Sequence, residues 1–264
     1  MFTGSFYSKS LGMTTGLTVI FPDESNDVTP LFAGKPKLLY LLHGLSGSSA
    51  EWVRFSKIEY YAKKFHFVIV MPEVNRSFYC DTATGMNYYT YVSKELPEIV
   101  NRWFRVDTSP ENSYIAGESL GGYGAMKLAL RNPQSYAGAA ALSGVLDFAA
   151  FCRRIQNREW PDYAFCELQQ ILGQSGMPEI DDDPIVLLKN FSGGLPHPKL
   201  MVLCGTEDFL YADNVRFHKE AEALGIAHTY REAPGDHEWP YWDKAIQYAF
   251  HFFRGMDSDS VPLY

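Results

Sequence analysis

Ser113-Tyr114-Ile115-Ala116-Gly117-Glu118-Ser119-Leu120-Gly121-Gly122 decides how this chain is read. A short apolar run is closed by Gly117, and an Ala-rich stretch with Ala125, Leu128, Ala129 and Leu130 begins at Gly122. Between them lies G-x-S-x-G. A strand that turns sharply into a helix pushes the serine at the turn outward, and flanking glycines let helix and strand pack closely. The helix then aims its unpaired N–H groups and the positive end of its dipole at that serine. The pattern predicts a nucleophile at Ser119.

Working outward, similar apolar runs occupy Lys37 to Leu42, Phe67 to Met71, Ala139 to Leu142 and Leu200 to Cys204, each ended by Gly, Pro or Ser-Gly. Runs this short and without alternation predict strands buried on both faces, as in a parallel sheet. Helical patterns lie between or after them: Ala50 to Lys64, Thr90 to Phe104, Gly122 to Arg131, Asp213 to Leu224 and Tyr241 to Phe253. In the fourth, Val215, Phe217, Ala221 and Leu224 fall near helical spacing. The alternation predicts an α/β fold, a mostly parallel central sheet with helices on both faces. Ser5 to Pro22, with Thr, Val and Ile, suits an antiparallel hairpin at the sheet edge.

The stretch from Asp147 to Pro198 breaks the rhythm with Trp160-Pro161, Gly173, Gly176, Pro178, Asp181-Asp182-Asp183-Pro184 and Gly193-Gly194. It is too rich in aromatics and leucine for disorder. A small helical insertion over one end of the sheet is expected at 147–198, within a single domain spanning 1–264.

Composition narrows the function classes. Aromatics make up 15% of the 264 residues, enough for a core and an aromatic-lined pocket. With 23 basic against 31 acidic residues the net charge is −8, and no basic run exists, so nucleic-acid binding is disfavoured. No apolar stretch is long enough for a membrane span, and the opening residues lack a signal-peptide pattern, so a cytoplasmic protein is expected. Cys80, Cys152, Cys166 and Cys204 form no C-x-x-C pair and read as small buried hydrophobes. Neither H-E-x-x-H nor a Cys/His cluster appears, so no metal site is expected. Asp181-Asp182-Asp183 lacks the ligand alternation of a calcium loop and reads as a solvated turn before Pro184.

A serine hydroxyl needs a base within hydrogen-bond reach and an acid to orient that base. Such groups belong beyond the carboxyl ends of the strands. His237, in Gly235-Asp236-His237-Glu238-Trp239, follows a short strand (His228 to Arg231) and precedes the last helix, and is the expected base. His66, His218, His228 and His251 fall inside predicted elements, and His197 sits between prolines without a motif. Asp208, directly after the run ending at Cys204, is the expected acid in the order Ser…Asp…His. Glu207 competes with it, Asp236 is read as stabilising the histidine loop, and Asp213 as a cap for the next helix. Acyl transfer also needs N–H donors for an oxyanion. Leu120 N–H and, from His43-Gly44-Leu45-Ser46-Gly47, Leu45 N–H are the candidates, with His43 read as a buttress of that loop.

Taken together, His43-Gly44-Leu45-Ser46-Gly47, the stretch Gly117 to Ala125, Gly205-Thr206-Glu207-Asp208 and Gly235 to Trp239 resemble the putative-esterase branch of the α/β-hydrolases. That branch includes bacterial tributyrin esterases, the nearest likeness, with feruloyl esterases and S-formylglutathione hydrolases. The resemblance covers nearly the whole chain. It implies a serine carboxylesterase hydrolysing short-chain acyl esters through an acyl-enzyme, using Ser119, Asp208 and His237, with Leu45 and Leu120 amides at the oxyanion and no metal or organic cofactor. It also implies that Asn75-Arg76-Ser77 and Met86-Asn87-Tyr88 border the pocket, and that the insertion acts as a cap setting substrate size. Feruloyl ester or thioester hydrolysis is the alternative. A binding protein on the same fold would normally lack one of the three residues. The aromatic insertion can serve a subunit contact as well as a pocket, which leaves a homo-oligomer open.

Overall fold

A computed structural model describes residues 1–23, 27–160, 163–191, 197–257 and 263. Its strands are β1 (Phe2–Ser8), β2 (Met13–Ile20), β3 (Lys37–Leu42), β4 (Phe67–Pro72), β5 (Ser113–Glu118), β6 (Gly138–Leu142), β7 (Lys199–Gly205) and β8 (His228–Ala233). They form one sheet in the order β1-β2-β4-β3-β5-β6-β7-β8. The β1–β2 and β2–β4 pairs are antiparallel and the rest parallel, so the hairpin sits at the edge as expected. The helices are α1 (Glu51–Phe55), α2 (Ile58–Phe65), α3 (Tyr88–Thr90), α4 (Leu96–Phe104), α5 (Leu120–Arg131), α6 (Phe148–Gln156), α7 (Phe165–Leu172), α8 (Pro184–Asn190), α9 (Tyr211–Ala223) and α10 (Trp239–Arg254).

The period-2 geometry of strands explains why the apolar runs do not alternate. Leu38, Tyr40, Leu42, Val68 and Val70 enter one core, packed with α4, α5 and α9. Leu39, Leu41, Ile69 and Met71 enter a second, packed with α2 and α10. Both faces are covered, so every position is apolar. No helix among the described residues is long and apolar enough to cross a membrane.

Several local expectations are corrected. Ala50 to Lys64 is two helices, because Ser56 is extended, donates its hydroxyl to Trp52 O and receives the Ile58 N–H. Thr90 to Phe104 contains a π-helical turn, Tyr91–Glu95, in which Leu96 N–H reaches back to Tyr91 O. Pro97 follows at once; having no N–H, it cannot continue the ordinary i→i−4 ladder. On α9 the buried face is Asp213, Asn214, Phe217 and Ala221, while Leu224 is 45% exposed. Cys166 is exposed; the other three cysteines are buried.

The 147–198 stretch contains α6, α7, a 3₁₀ turn (Ile180–Asp182) and α8, with Pro161 and Gly193-Gly194 outside the described residues. Its acidic run, expected to be a solvated turn, is exposed only at Asp181. Asp183 is buried and caps α8 by accepting the Ile185 and Val186 N–H groups, while Ala149 N–H bonds its other oxygen. Asp182 pairs at 3.2 Å with Lys127, whose side chain is fully buried. An unpaired ammonium there would cost several kcal/mol, ~3–5, so the acidic run ties the insertion to α5.

Candidate active site

Ser119 stands where β5 turns into α5, with φ 53° and ψ −119°. Side chains seldom adopt positive φ, and such strain costs ~1–3 kcal/mol. Hydrogen bonds hold it there: Ser119 N–H donates to Leu142 O at 2.8 Å, and Ser119 O accepts from Tyr123 N–H at 3.1 Å. A side chain at Gly121 would collide with the Leu42 carbonyl, so glycine is what lets α5 sit against the end of β3.

The loop between β8 and α10 brings His237 to the serine. Its Nε2 lies 2.9 Å from Ser119 Oγ, and its Nδ1 lies 3.0 and 2.9 Å from the two Asp208 oxygens. An ionised carboxylate only accepts, so the proton sits on Nδ1 and Nε2 offers its lone pair to the serine hydroxyl. The Asp208 side chain is fully buried and also receives Leu210 N–H at 2.8 Å. Phe209 and Trp242 flank the imidazole, with ring centroids at 4.5 and 4.9 Å. Trp242 is itself fixed by donating to Ser143 Oγ.

The competing acids do other work. Glu207 turns away from the ring and accepts Gly235 N–H, holding the backbone of the same loop. Asp236 accepts His237 N–H at 2.7 Å. Asp213 caps nothing; it takes both Arg154 Nη groups. Leu210 occupies the α9 cap without a side-chain bond.

Across the cavity, the loop after β3 is pinned through Gly44. His43 Nδ1–H and Gly47 N–H both donate to Gly44 O, at 2.8 and 3.1 Å, and His43 Nε2 receives Val74 N–H. A trans peptide is planar, so fixing the Gly44 carbonyl on one side turns the Leu45 N–H to the other. Leu120 opens α5, where no intrahelical acceptor exists for its N–H. Among the described residues neither N–H has a protein acceptor.

The cavity over Ser119 has a volume of about 550 Å³, and Leu45 lines it. Tyr163, Phe209, Trp239 and Trp242 form its aromatic wall, and Glu51, Arg76 and Glu118 interrupt the apolar surface. Of the two segments expected to border it, only Arg76 does. That guanidinium pairs with Glu167 of α7 and donates to Ser46 Oγ at 2.6 Å. Tyr88 is instead buried, receiving Asn75 Nδ2, while Asn87 N–H is bound to Ser10 O. Glu51, Glu118, Tyr163 and Phe209 were not marked by sequence reasoning. Burial raises the carboxyl of Glu51, with His43 opposing it, and lifts Glu118 well above the usual carboxylate range. A carboxylic acid inside the two-sided apolar run before Ser119 was the available signal.

The model of the Putative esterase family matches residues 8–253. An acetyl esterase of Caldicellulosiruptor saccharolyticus is 29% identical over 261 residues, spanning 94% of this chain and 96% of that protein. A substrate-bound fluorophosphonate-binding serine hydrolase of Staphylococcus aureus superimposes with a TM-score of 0.82 at 33% identity, covering 96% of this chain and 97% of that one. The S-formylglutathione hydrolase of Staphylococcus aureus gives a TM-score of 0.81 at 32% identity, with the same coverage.

Proposed function

The chain belongs to the putative esterase family and has its α/β-hydrolase fold, and from that premise we propose that Ser119 is the nucleophile of an esterase for short acyl chains. The observation that carries this reading is the continuous hydrogen-bonded line from the buried Asp208 carboxylate through His237 to Ser119 Oγ.

Ser119 Oγ attacks the ester carbonyl as His237 Nε2 takes its proton. Asp208 stabilises the imidazolium without itself becoming protonated. Leu45 and Leu120 N–H receive the oxyanion, each such donor being worth ~3–4 kcal/mol in the transition state. His237 then protonates the leaving alcohol, an acyl-Ser119 ester remains, and water activated by His237 releases the acid. Nothing in these steps calls for a metal or organic cofactor.

Short acyl chains suit the cavity because Glu51, Glu118 and Arg76 break its apolar lining. A long chain would have to desolvate the Glu51 carboxyl and the Arg76 guanidinium, a cost that opposes the gain from its own burial. We place α6, α7 and Tyr163 in a cap, since Tyr163 lines the cavity and Glu167 pairs with its Arg76. The four free thiols suit a reducing compartment, and we place the enzyme in the cytoplasm. Thioester hydrolysis is the second reading, favoured by the likeness to the staphylococcal S-formylglutathione hydrolase.

The test is a panel of p-nitrophenyl esters from acetate to decanoate, with methyl ferulate and S-formylglutathione, on wild type and Ser119→Ala. The expected result is the highest kcat/KM between acetate and butyrate, and loss of at least ~10⁴-fold in kcat for the folded variant. Wild-type turnover by Ser119→Ala would refute the nucleophile. A maximum at octanoate or beyond would refute the short-chain preference, and a maximum at S-formylglutathione would select the second reading.

A further inference from the structure

All six residues of β5 are buried, and one of them is a carboxylic acid. Glu118 is 3% exposed, and among the described residues no ion pair reaches it. Its position follows from register. Gly117 pairs with Leu42, the last residue of β3, so Glu118 lies level with the loop that leaves that strand. Glu118 Oε1 accepts the Gly44 N–H, and a side chain at Gly44 would collide with this carboxyl. The Gly44 carbonyl is already fixed by His43 Nδ1–H and Gly47 N–H. With the Glu118 bond, the peptides on both sides of the Gly44 Cα are anchored, and the second of them, which carries the Leu45 N–H, loses its freedom to rotate.

We propose that Glu118 is a positioning residue for the oxyanion hole, receiving the Gly44 N–H so that the Leu45 N–H stays aimed at the space beside Ser119. This rests on the reading of Ser119 as nucleophile and Leu45 as oxyanion donor. Glu118 does not touch the reacting atoms; it acts through Gly44.

The protonation state matters to this role. Burial holds the Glu118 carboxyl well above the usual carboxylate range, the Glu51 charge pushes the same way, and the Gly44 N–H opposes both. Glu51 faces it from α1, and Tyr79, whose hydroxyl donates to His43 O, faces it from the segment after β4. His43 and Glu73 lie behind the loop, and His237 stands across the cavity. A neutral acid accepts the Gly44 N–H while adding no negative charge next to a developing oxyanion. Ionised, it would repel that oxyanion in a poorly screened site. Raised pH therefore removes the working form.

The experiment compares kcat and KM for p-nitrophenyl butyrate across pH 6–10 in wild type, Glu118→Gln and Glu118→Ala, with thermal unfolding as a folding control. Loss of a fixed loop is expected to lower kcat of Glu118→Ala about 100-fold, with KM within about 3-fold of wild type. Glutamine keeps a neutral acceptor, so Glu118→Gln is expected to recover kcat to within about 5-fold at pH 7. Any alkaline loss of wild-type kcat is expected to be absent from Glu118→Gln. Near-wild-type kcat in Glu118→Ala would overturn the proposal. So would a folded Glu118→Gln as impaired as alanine, or an alkaline fall shared by both enzymes. If Glu118→Ala does not fold, the glutamine comparison decides alone. Failure here leaves the loss of activity in Ser119→Ala untouched, so the two readings fall separately.

Discussion

Asp208 serves two partners with one carboxylate: Oδ1 receives the Leu210 N–H that leads into α9, and both oxygens face His237 Nδ1. Asp208→Asn keeps the first bond, since an amide oxygen still accepts. Its NH₂ group then meets Nδ1 and forces the ring proton to Nε2, the wrong tautomer for accepting from Ser119. We expect kcat to fall about 10⁴-fold with the fold retained; steady-state rates against circular dichroism check it, and a loss under about 10-fold would speak against an orienting acid. The residues that meet at this point were each marked by standing just past a strand: Ser119 after β5, Asp208 after β7, His237 after β8. Which of Glu207 and Asp208 faces the imidazole was a matter of side-chain direction, which adjacent positions alone do not give. Glu118 and Glu51 escaped notice for a different reason. Their weight comes from burial against the loop after β3, and a motif written G-x-S-x-G treats that position as free.

At the scale of elements, strands were legible and helix interiors less so. Two-sided burial makes a strand a run of apolar residues whatever its neighbours, whereas a helix break depends on single residues. Ser56 ends α1 by folding its hydroxyl back onto Trp52 O, and Pro97 forces the turn before α4 into π geometry. The Asp181-Asp182-Asp183 run looked solvated because its partners, Lys127 and the N–H groups of α6 and α8, are distant or are backbone. The π turn also supplies Glu95, whose carboxylate receives Ser8 Oγ–H, Lys9 N–H and Ser10 N–H at 2.7–3.0 Å and so docks the β1–β2 hairpin. Burial disfavours its charge, but these donors outweigh burial and hold its carboxyl below the usual value. A lowered folded pKa gives stability that is present above the unfolded value, ~4.3, and is lost as pH falls through the folded one. Glu95→Gln should lower Tm by ~2–6 °C at pH 7. The gap to wild type should narrow as pH falls below the unfolded value of ~4.3. Melting curves at pH 7 and pH 3 measure it, and a gap of equal size at both would exclude the charged interaction.

Across the whole molecule, the parallel order β4-β3-β5-β6-β7-β8 places the ends of β3, β5, β7 and β8 along one rim. Four loops far apart in sequence thereby share a single cavity. The sheet was legible because its physical cause, burial on both faces, is written into every run. Which residues of the 147–198 stretch meet the cavity was not, because Tyr163 lines it and Glu167 pairs with its Arg76 through contacts that leave no periodic trace. The proposed chemistry rests on a hydroxyl made nucleophilic by this convergence. Its most direct test is covalent: react wild type and His237→Ala with a fluorophosphonate, digest, and locate the adduct by mass spectrometry. One adduct per chain on the peptide carrying Ser119, formed at least ~10³-fold more slowly in His237→Ala, is the predicted result. An esterase-active protein that forms no adduct at Ser119, or is modified at another residue with loss of activity, would contradict it.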